Sequence, residues 1–493
     1  MQVVVSRPGL AETLGNGQAP GFAAVGISDS DAGAARAGAI GSIAIGPDSF
    51  AQTMDAMHPC AGGSHAIDCG HGNIAIGTSS SAINDFAVAV GFLGQATGVN
   101  SAAFGPNAVA SGQFGSAFGN GANALGSGSV AAGNAASAKG LISVAVGPNS
   151  VAADGAVALG SQASASGGNT IAMGQGSTAP GTRSIAAGTS ANSAGNDSVA
   201  IGTKASTFDL TKKAGVDSAV AIGNSAIAQA NNGTAVGAHA NATGDRSSAY
   251  GHFALAKDTG SAYGAGAQAF GLNGSAFGIL ASATGENATA VGFGAKANQS
   301  TVMGREATAD GDSSLALGFS ATAAGVNSVA VGLKAQAGGL SSLAVGAGAK
   351  ATQDLALAIG VNAQSTGNST IAIGSNTIAT NSVAVGKAAM ASNGGAAYGD
   401  GAAATGSLAA ALGPNASATA ANAVAIGSGA LANEDDSVSV GAPGNARRIT
   451  NVAAGSAASD AATVGQLADL RAQIEEVRRE CGLPARTARA GGE

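Results

Sequence analysis

The sequence contains few aromatic, charged and cysteine residues. Its 493 residues include no Trp, 3 Tyr, 13 Phe and 3 Cys, and only 10% of them are charged. Aromatic side chains supply much of the buried area of compact cores, so their scarcity argues against the roughly three globular domains that the length alone suggests. Three cysteines are too few for a disulfide-based fold. The net charge of −7, with only 21 Lys and Arg, disfavours nucleic acid or an anionic membrane as a partner.

Recognisable targeting and membrane segments are also lacking. The first residues, MQVVVSRPGL, have neither the charged region nor the apolar run of a secretory signal. No apolar stretch reaches the roughly 18 residues that a membrane helix requires. These patterns predict neither an export signal nor a membrane anchor within the chain.

Glycine is abundant, and it is periodic. The chain has 80 Gly, and 27 of them, from Gly77 to Gly441, each close a short apolar run. Of the 26 intervals between these glycines, 20 are fourteen residues long, and the longest, from Gly202 to Gly223, is twenty-one. A fixed period of this length is the signature of a solenoid, in which each repeat forms one coil and stacks on the next.

Each repeat reads as two short strands and two turns. Val and Ile alternate with Ala, which predicts a strand with a bulky face and a small face. Gly and Asn between the strands tolerate the positive φ of tight turns. We expect the bulky residues to form a thin internal core and the Ala face to pack against another chain. Representative core columns are Val144, Val146, Val329, Val331, Ile371 and Ile373.

The period stops after Gly441, and a different pattern follows. Residues 467–481 place apolar side chains at spacings of three and four, which is the a/d seam of a short coiled coil. The seam consists of Leu467, Leu470, Ile474, Val477 and Cys481. Between roll and seam lies a connecting segment that includes Arg447, Arg448, Ile449, Asn451 and Val452. Two heptads are too short to be stable alone, so this helix needs support from the preceding segment.

In this order, repeat, connecting segment and heptad seam resemble the YadA-like trimeric autotransporter adhesins, whose haemagglutinin-type head repeats lead through a neck to a stalk. The resemblance implies an all-β, left-handed parallel roll, a homotrimer, and an adhesin on the outer membrane that binds host matrix proteins, host cells or other bacteria. It assigns residues 1–37 to an irregular start, 38–441 to the roll, with insertions near 47–76 and 203–222, and 442–466 to the neck. Residues 467–481 begin the stalk, and 482–493 form a disordered tail.

One segment of the roll carries residues that could bind a metal. Residues 47–76 interrupt the period and contain three of the five His and two of the three Cys. Two Cys and two His could hold zinc, although the spacing between these cysteines matches no common zinc motif. A disulfide between Cys60 and Cys69 that closes a surface loop is the favoured alternative. The segment's candidates are His58, Cys60, His65, Cys69 and His71.

Several other functions are weighed against adhesion. A trimeric phage or prophage tail fibre would share the repetitive architecture, and neighbouring tail genes would favour it. A β-helical enzyme that degrades polysaccharides would need an acidic cluster on one face, and an ice-binding solenoid would need ordered ranks of Thr; the sequence has neither. We therefore expect a non-enzymatic binding protein without a cofactor or catalytic residues.

Overall fold

The computed structural model describes residues 2–5, 25–28, 36–37, 42–52, 72–209 and 211–482. The described chain forms parallel β-coils of about fourteen residues, followed by one helix. This confirms the predicted all-β solenoid with a helical C-terminal segment. Two compact units, residues 1–370 and 371–493, can be distinguished. The predicted Cys and His cluster at 58–71 and the predicted tail after residue 482 lie outside the described residues.

Each coil contains a three-residue strand, a turn, a two-residue strand and a second turn. In one coil these strands are Val329–Val331 and Gln336–Ala337. The first pairs in parallel with Leu343–Val345 of the next coil, so that Ala330 lies beside Ala344. Because the pairing joins residues one repeat apart, the fourteen-residue period is also the period of the hydrogen-bonded ladder.

The longer strands form the first sheet of the coils. Their bounds are Ile43–Ile45, Ile74–Ile76, Val88–Val90, Ala102–Phe104, Ser116–Phe118, Val130–Ala132, Val144–Val146, Val157–Leu159, Ile171–Met173, Ile185–Ala187, Val199–Ile201, Val220–Ile222, Thr234–Val236, Ser248–Tyr250, Ser261–Tyr263, Ser275–Phe277, Thr289–Val291, Thr301–Met303, Leu315–Leu317, Val329–Val331, Leu343–Val345, Leu357–Ile359, Ile371–Ile373, Val383–Val385, Ala396–Tyr398, Ala410–Leu412, Val424–Ile426 and the shorter Val438–Ser439.

The shorter strands form the second sheet. Their bounds are Arg36–Ala37, Phe50–Gln52, Ser81–Ile83, Gln95–Ala96, Val109–Ala110, Asn123–Ala124, Ser137–Ala138, Val151–Ala152, Ser164–Ala165, Ile227–Ala228, Asn241–Ala242, Leu255–Ala256, Gln268–Ala269, Ser282–Ala283, Lys296–Ala297, Thr308–Ala309, Thr322–Ala323, Gln336–Ala337, Lys350–Ala351, Gln364–Ser365, Ile378–Ala379, Met390–Ala391, Ala403–Ala404, Ser417–Ala418 and Leu431–Ala432. Single bridges through Thr178, Asn192 and Ser206 continue this ladder between Ser164 and Ile227.

The ladder begins earlier than the sequence predicted. Strand Val25–Ser28 pairs in parallel with Ile43–Ile45, and Arg36–Ala37 pairs with Phe50–Gln52. A further strand, Gln2–Val5, pairs antiparallel with Val25–Ser28. The predicted start of the roll at residue 38 is therefore too late, because the fourteen-residue glycine pattern is weak in these strands.

The turns explain why glycine recurs. Gly332 has a φ of 129°, and a Cβ at this position would lie 2.6 Å from the carbonyl oxygen of Gly346 in the next coil. No side chain fits at that distance, so this turn position requires glycine in successive coils. Asn327 and Lys334, at the two outer turn positions, have φ near 56° and 55°. Asn tolerates this left-handed conformation better than most residues, as the sequence analysis expected.

The interior of the coil is mostly alanine, with buried Ser and Thr at intervals, which corrects the predicted core. Ala145, Ala330 and Ala372, at the centres of their strands, are completely buried. The predicted core residues on either side, Val144, Val146, Val329, Val331, Ile371 and Ile373, point to the opposite face and are half-buried or exposed. The two sheets of one narrow coil face each other too closely for larger side chains, so the small residue of each alternating pair turns inward.

Polar residues interrupt the alanine core of the first unit. One buried cluster ends at Ala191 and the next begins at Ala200. Between them Ser193 donates to the carbonyl of Ser198, and the hydroxyl of Thr207 donates to Ser198 Oγ at 3.0 Å. These hydroxyls are buried and hydrogen-bonded, so they do not leave the core with unpaired groups.

After the last coil the backbone leaves the sheet and forms the helix Val464–Glu480. The helix begins with a capping box, in which Thr463 Oγ1 accepts from the Gln466 amide at 3.2 Å. It starts three residues before the predicted seam and ends one residue before Cys481, which is the C-cap. The seam pattern did not predict the first turn of the helix, because the capping residues Thr463 and Gln466 are polar and do not belong to the apolar seam.

Candidate functional site

The outward surface of the first sheet is apolar. We call this surface the apolar face; it comprises the first and third residues of the three-residue strands in the first sheet. Val146 is 38% exposed and Met173 is 47% exposed. Aromatic rings on this face stack from coil to coil: Tyr250 on Tyr263 at 4.8 Å and Tyr263 on Phe277 at 5.1 Å between centroids. A long apolar surface of this kind marks a protein interface.

The second sheet presents a different outward surface. Its outward residues are largely polar, as in Asn123, Ser137, Gln336 and Lys350. The inward residue of each two-residue strand is usually a buried alanine. We call this outward surface the polar face. The two outward surfaces of the same coils therefore differ in polarity.

Exposed rings also line one turn edge of the first unit. Arg305 lies over Phe293 at 5.4 Å and over Phe319 at 5.5 Å from the ring centroids. On neighbouring coils His239 stacks on Phe253 at 4.8 Å. Cation–π pairs at exposed sites stabilise by only about 0.5–1 kcal/mol, so this edge holds its own side chains in place weakly.

The insertion predicted near 203–222 forms a small hairpin. Phe208–Asp209 pairs antiparallel with Ala214–Gly215. Asp209 Oδ1 accepts from the Thr211 hydroxyl at 2.6 Å and from the Lys212 amide at 3.1 Å. These hydrogen bonds, the Thr211 hydroxyl first, lower the pKa of the Asp209 carboxyl to about 2. Asp209 is thus held ionised and orders the turn, and Lys212 Nζ, on a largely exposed side chain, forms an ion pair with Asp209 Oδ2 at 3.4 Å.

The neck closes the end of the roll through one arginine. Arg447 donates from Nη1 to the Val440 carbonyl at 2.8 Å and from Nη2 to the Ser428 carbonyl. Both carbonyls belong to the same chain as Arg447. The other predicted neck residues, Arg448, Ile449, Asn451 and Val452, are exposed.

The predicted coiled-coil seam has no partner within the described chain. Leu467, Leu470, Ile474 and Val477 are 49 to 57% exposed, and no residue of the helix is buried. Cys481 is an exposed free thiol at the helix end. Gln466 ties the helix to the neck, because its side chain accepts from the Gly455 amide and donates to the Gly455 carbonyl, both at 2.8 Å.

The described part of the chain offers no metal-binding cluster of His, Cys, Asp or Glu. Within residues 42–52, 72–209 and 211–482 no three His, Cys, Asp or Glu residues come together in a geometry that could hold a metal ion. The candidates His58, Cys60, His65, Cys69 and His71 lie outside that range, so the zinc and disulfide alternatives both remain predictions. Among the described helices, none is long and apolar enough to span a membrane.

The sequence analysis missed two surface features. The first is the aromatic stack, which the sequence signalled through the spacing of Tyr250, Tyr263 and Phe277 at nearly one repeat. The second is the Arg305 contact with Phe293 and Phe319, whose members lie in successive turns. Both could have been found by aligning the repeats position by position rather than by their glycines alone.

Comparison with known proteins identifies the repeat and the stalk. The family model of the YadA head domain repeat matches in fourteen segments, at residues 74–92, 96–122, 124–150, 152–177, 179–205, 217–240, 229–254, 269–295, 295–321, 309–335, 323–349, 351–377, 404–430 and 418–442. The coiled stalk of trimeric autotransporter adhesin matches residues 448–478.

The crystal structure of the collagen-binding domain of the Yersinia adhesin YadA is 32% identical over 34% of this chain and 86% of that chain, with a TM-score of 0.27. No curated protein matches the chain.

Proposed function

This chain belongs to the YadA-like trimeric autotransporter adhesins, and from that membership we propose that it acts as a parallel homotrimer displayed on the bacterial outer membrane. Its polar face attaches the cell to host cells, extracellular-matrix proteins or other bacteria. Members of the family are cell-surface adhesins, a non-enzymatic class. The observation that carries the proposal is the contrast between an exposed apolar face and a polar face on the same coils.

The apolar face supports trimerisation. Exposed Val, Ile and aromatic side chains in a long column would be costly to leave in water, at about 25 cal/mol per Å² of apolar surface. The sequence analysis assigned the contact to alanine, but the alanines are inside the coil, so the bulky residues are the ones available to another copy. The exposed seam of Leu467, Leu470 and Ile474 would likewise be buried against the helices of other copies of the chain.

The polar face supports adhesion through many weak contacts. Its outward side chains recur once per coil, at spacings of about 4.8 Å. Three copies of the chain multiply each contact again, and linked contacts can raise the apparent affinity by roughly 10² to 10⁴. A receptor need not find a deep pocket, because a repeating surface can bind through multivalency.

Light scattering and a binding assay test the proposal together. The purified chain should have about three times its 45.8 kDa mass. Deletion of residues 442–493 should weaken the assembly and lower binding to immobilised matrix proteins and to host cells by roughly 10² or more, because avidity is lost. A stable monomer that binds as tightly as the parent would overturn the trimer and the avidity mechanism.

A further inference from the structure

Large and small side chains are paired on the apolar face. Each three-residue strand contributes a first-position and a third-position residue to this face. An aromatic residue occupies the third position in six strands, and in each of them the first position is Ala or Ser. The pairs are Ala102 with Phe104, Ser116 with Phe118, Ser248 with Tyr250, Ser261 with Tyr263, Ser275 with Phe277, and Ala396 with Tyr398.

The other three-residue strands of the first sheet have a different combination of outward side chains. Their first position is Val, Ile, Leu or Thr, with Ala410 as the exception, and their third position is never aromatic. All three tyrosines of the chain belong to the aromatic set. A large ring at the third position therefore always stands beside a small residue at the first position of the same strand.

Packing within one coil does not account for this pairing. The rings of Tyr250 and Tyr263 are 4.8 Å apart with planes 5° from parallel, and Phe104 and Phe118 stack in the same way at 5.3 Å. The rings therefore stack along their own column, at the spacing between coils. The neighbouring serines stay only half-buried. Where the rings occur, the third-position column therefore forms a raised aromatic ridge, and the first-position column of Ala and Ser beside it forms a recess.

We propose that the third-position column of one copy packs against the first-position column of the next copy at the same coil level. This inference rests on the homotrimer of the proposed function. In a cyclic assembly such a contact repeats from each copy to the next and closes after three. Each aromatic ring then fills the recess over an Ala or Ser of its neighbour.

This packing also sets the alignment of the three chains. A repetitive face would otherwise permit neighbouring copies to slip by one coil, as flat strands without distinctive residues do. A slip in one direction places Phe118 against Val130 and Phe277 against Thr289. A slip in the other places Phe104 against Val88 and Tyr250 against Thr234. The aromatic pairs therefore mark the correct alignment, because only equal levels put every ring over a small residue.

Paired substitutions test the size matching. Ser261→Val should crowd the ring of the neighbouring copy, and Tyr263→Val should leave a void; each should weaken the trimer on the order of tenfold or more. The double variant S261V/Y263V recreates the combination found at Val329 and Val331 and should return trimer stability close to that of the parent. Losses that simply add would overturn the size matching.

Cross-linking distinguishes contact between copies from contact within one chain. Two chains are co-expressed in a background with all three native Cys replaced by Ser, one carrying Ser261→Cys and the other Tyr263→Cys. A short bismaleimide should link chains in the mixed trimer and much less in either chain alone. The matched control places Gln268→Cys and Phe270→Cys on the second sheet, where no link between chains is expected.

The outcomes separate this inference from the proposed function. A parent of trimer mass with links mainly in the mixed assembly supports the packing. A parent of trimer mass in which Tyr263→Cys chains link to one another overturns the packing and leaves the trimer intact. A monomeric parent overturns both.

Discussion

Alanine at the inner position is the residue on which each coil depends. Ala330 has no exposed surface, and its neighbours in the adjoining coils, Ala316 and Ala344, are buried in the same way. Close-packed interiors resist added volume because neighbouring atoms have no room to move. Val302 is the larger residue at this position in its coil, where the repeat is two residues shorter than usual.

Enlarging the inner residue should therefore be costly. Ala330→Leu should destabilise the roll by about 1–3 kcal/mol, the usual effect of overpacking a core. Gln336→Leu, on the polar face of the same coil, is the matched control and should change stability by less than about 0.5 kcal/mol. Urea denaturation followed by circular dichroism measures both. Equal losses for the two variants would contradict tight packing around Ala330.

Backbone strain is a second residue-scale feature. Ile142 has a φ of 50° and is 76% exposed, an unfavourable conformation for a β-branched residue with no packing to compensate. Ile142→Asn should stabilise the roll by about 1 kcal/mol, because Asn tolerates the left-handed region. Leu141→Asn tests the adjacent exposed position, where no such gain is expected. Thermal denaturation of the three proteins provides the comparison, and a gain limited to Leu141→Asn would refute the argument.

At the scale of elements, the ends and interruptions of the roll need dedicated side chains. A coil in the middle is covered by two neighbours, whereas the last coil has a neighbouring coil on one side only and needs other groups to bind its free carbonyls. Arg447 binds two carbonyls at that end, and Asp209 organises the inserted hairpin. Both groups act through charge-assisted hydrogen bonds, which are stronger than neutral ones.

Removing the arginine should loosen the last coil. Arg447→Ala should lower local stability by about 1 kcal/mol, because the contacts are charged but solvent-exposed. Hydrogen exchange of residues 424–441 should then accelerate roughly fivefold. Arg448→Ala is the control, since the neighbouring arginine is exposed and makes no comparable contact among the described residues. Equal acceleration of hydrogen exchange in both variants would show that the effect comes from the loss of a positive charge and not from the hydrogen bonds of Arg447.

The hairpin should depend on pH through Asp209. Its pKa falls from an ordinary 3.8 to about 2 in the folded hairpin. The stabilisation is therefore present above about pH 4 and disappears as the pH falls toward 2. Asp209→Ala should remove it at all pH values and expose Lys212 and Lys213 to faster tryptic cleavage at pH 8. Asp245→Ala, at an exposed turn, is the control, and equal cleavage of the two variants would exclude this role for Asp209.

At the scale of the whole molecule, repetition spreads both stability and binding over many weak contacts. Each coil contacts its neighbours, and each outward side chain contributes little alone. Assembly of three copies would join these contacts at the apolar face and at the helix seam. Charge supports a soluble trimer, since the net charge of −7 per chain discourages further association.

The disulfide-linked species that form through Cys481 test whether the three chains are parallel. In a parallel trimer three thiols meet at the end of the helix, and at most two of them can pair. Mild oxidation should produce a linked dimer and a single chain under non-reducing conditions, with no trimer linked through Cys481. Cys481→Ser should abolish the dimer band. Absence of any linked species in the oxidised parent would contradict the parallel arrangement.

The repeat length, the turn residues and the order of roll, neck and helix could be predicted from the sequence alone. These features depend on local rules: glycine is required where backbones approach, and alternation within three residues defines a strand. Alternation says only that two faces differ; it does not say which is inside. The prediction that Val329 and Val331 form the core was wrong because the gap between the two sheets of a fourteen-residue coil admits only alanine-sized side chains. The partners of Arg447 and Asp209, and the stacking of Tyr250 on Tyr263, likewise depend on how successive coils stack, which the tertiary structure alone decides.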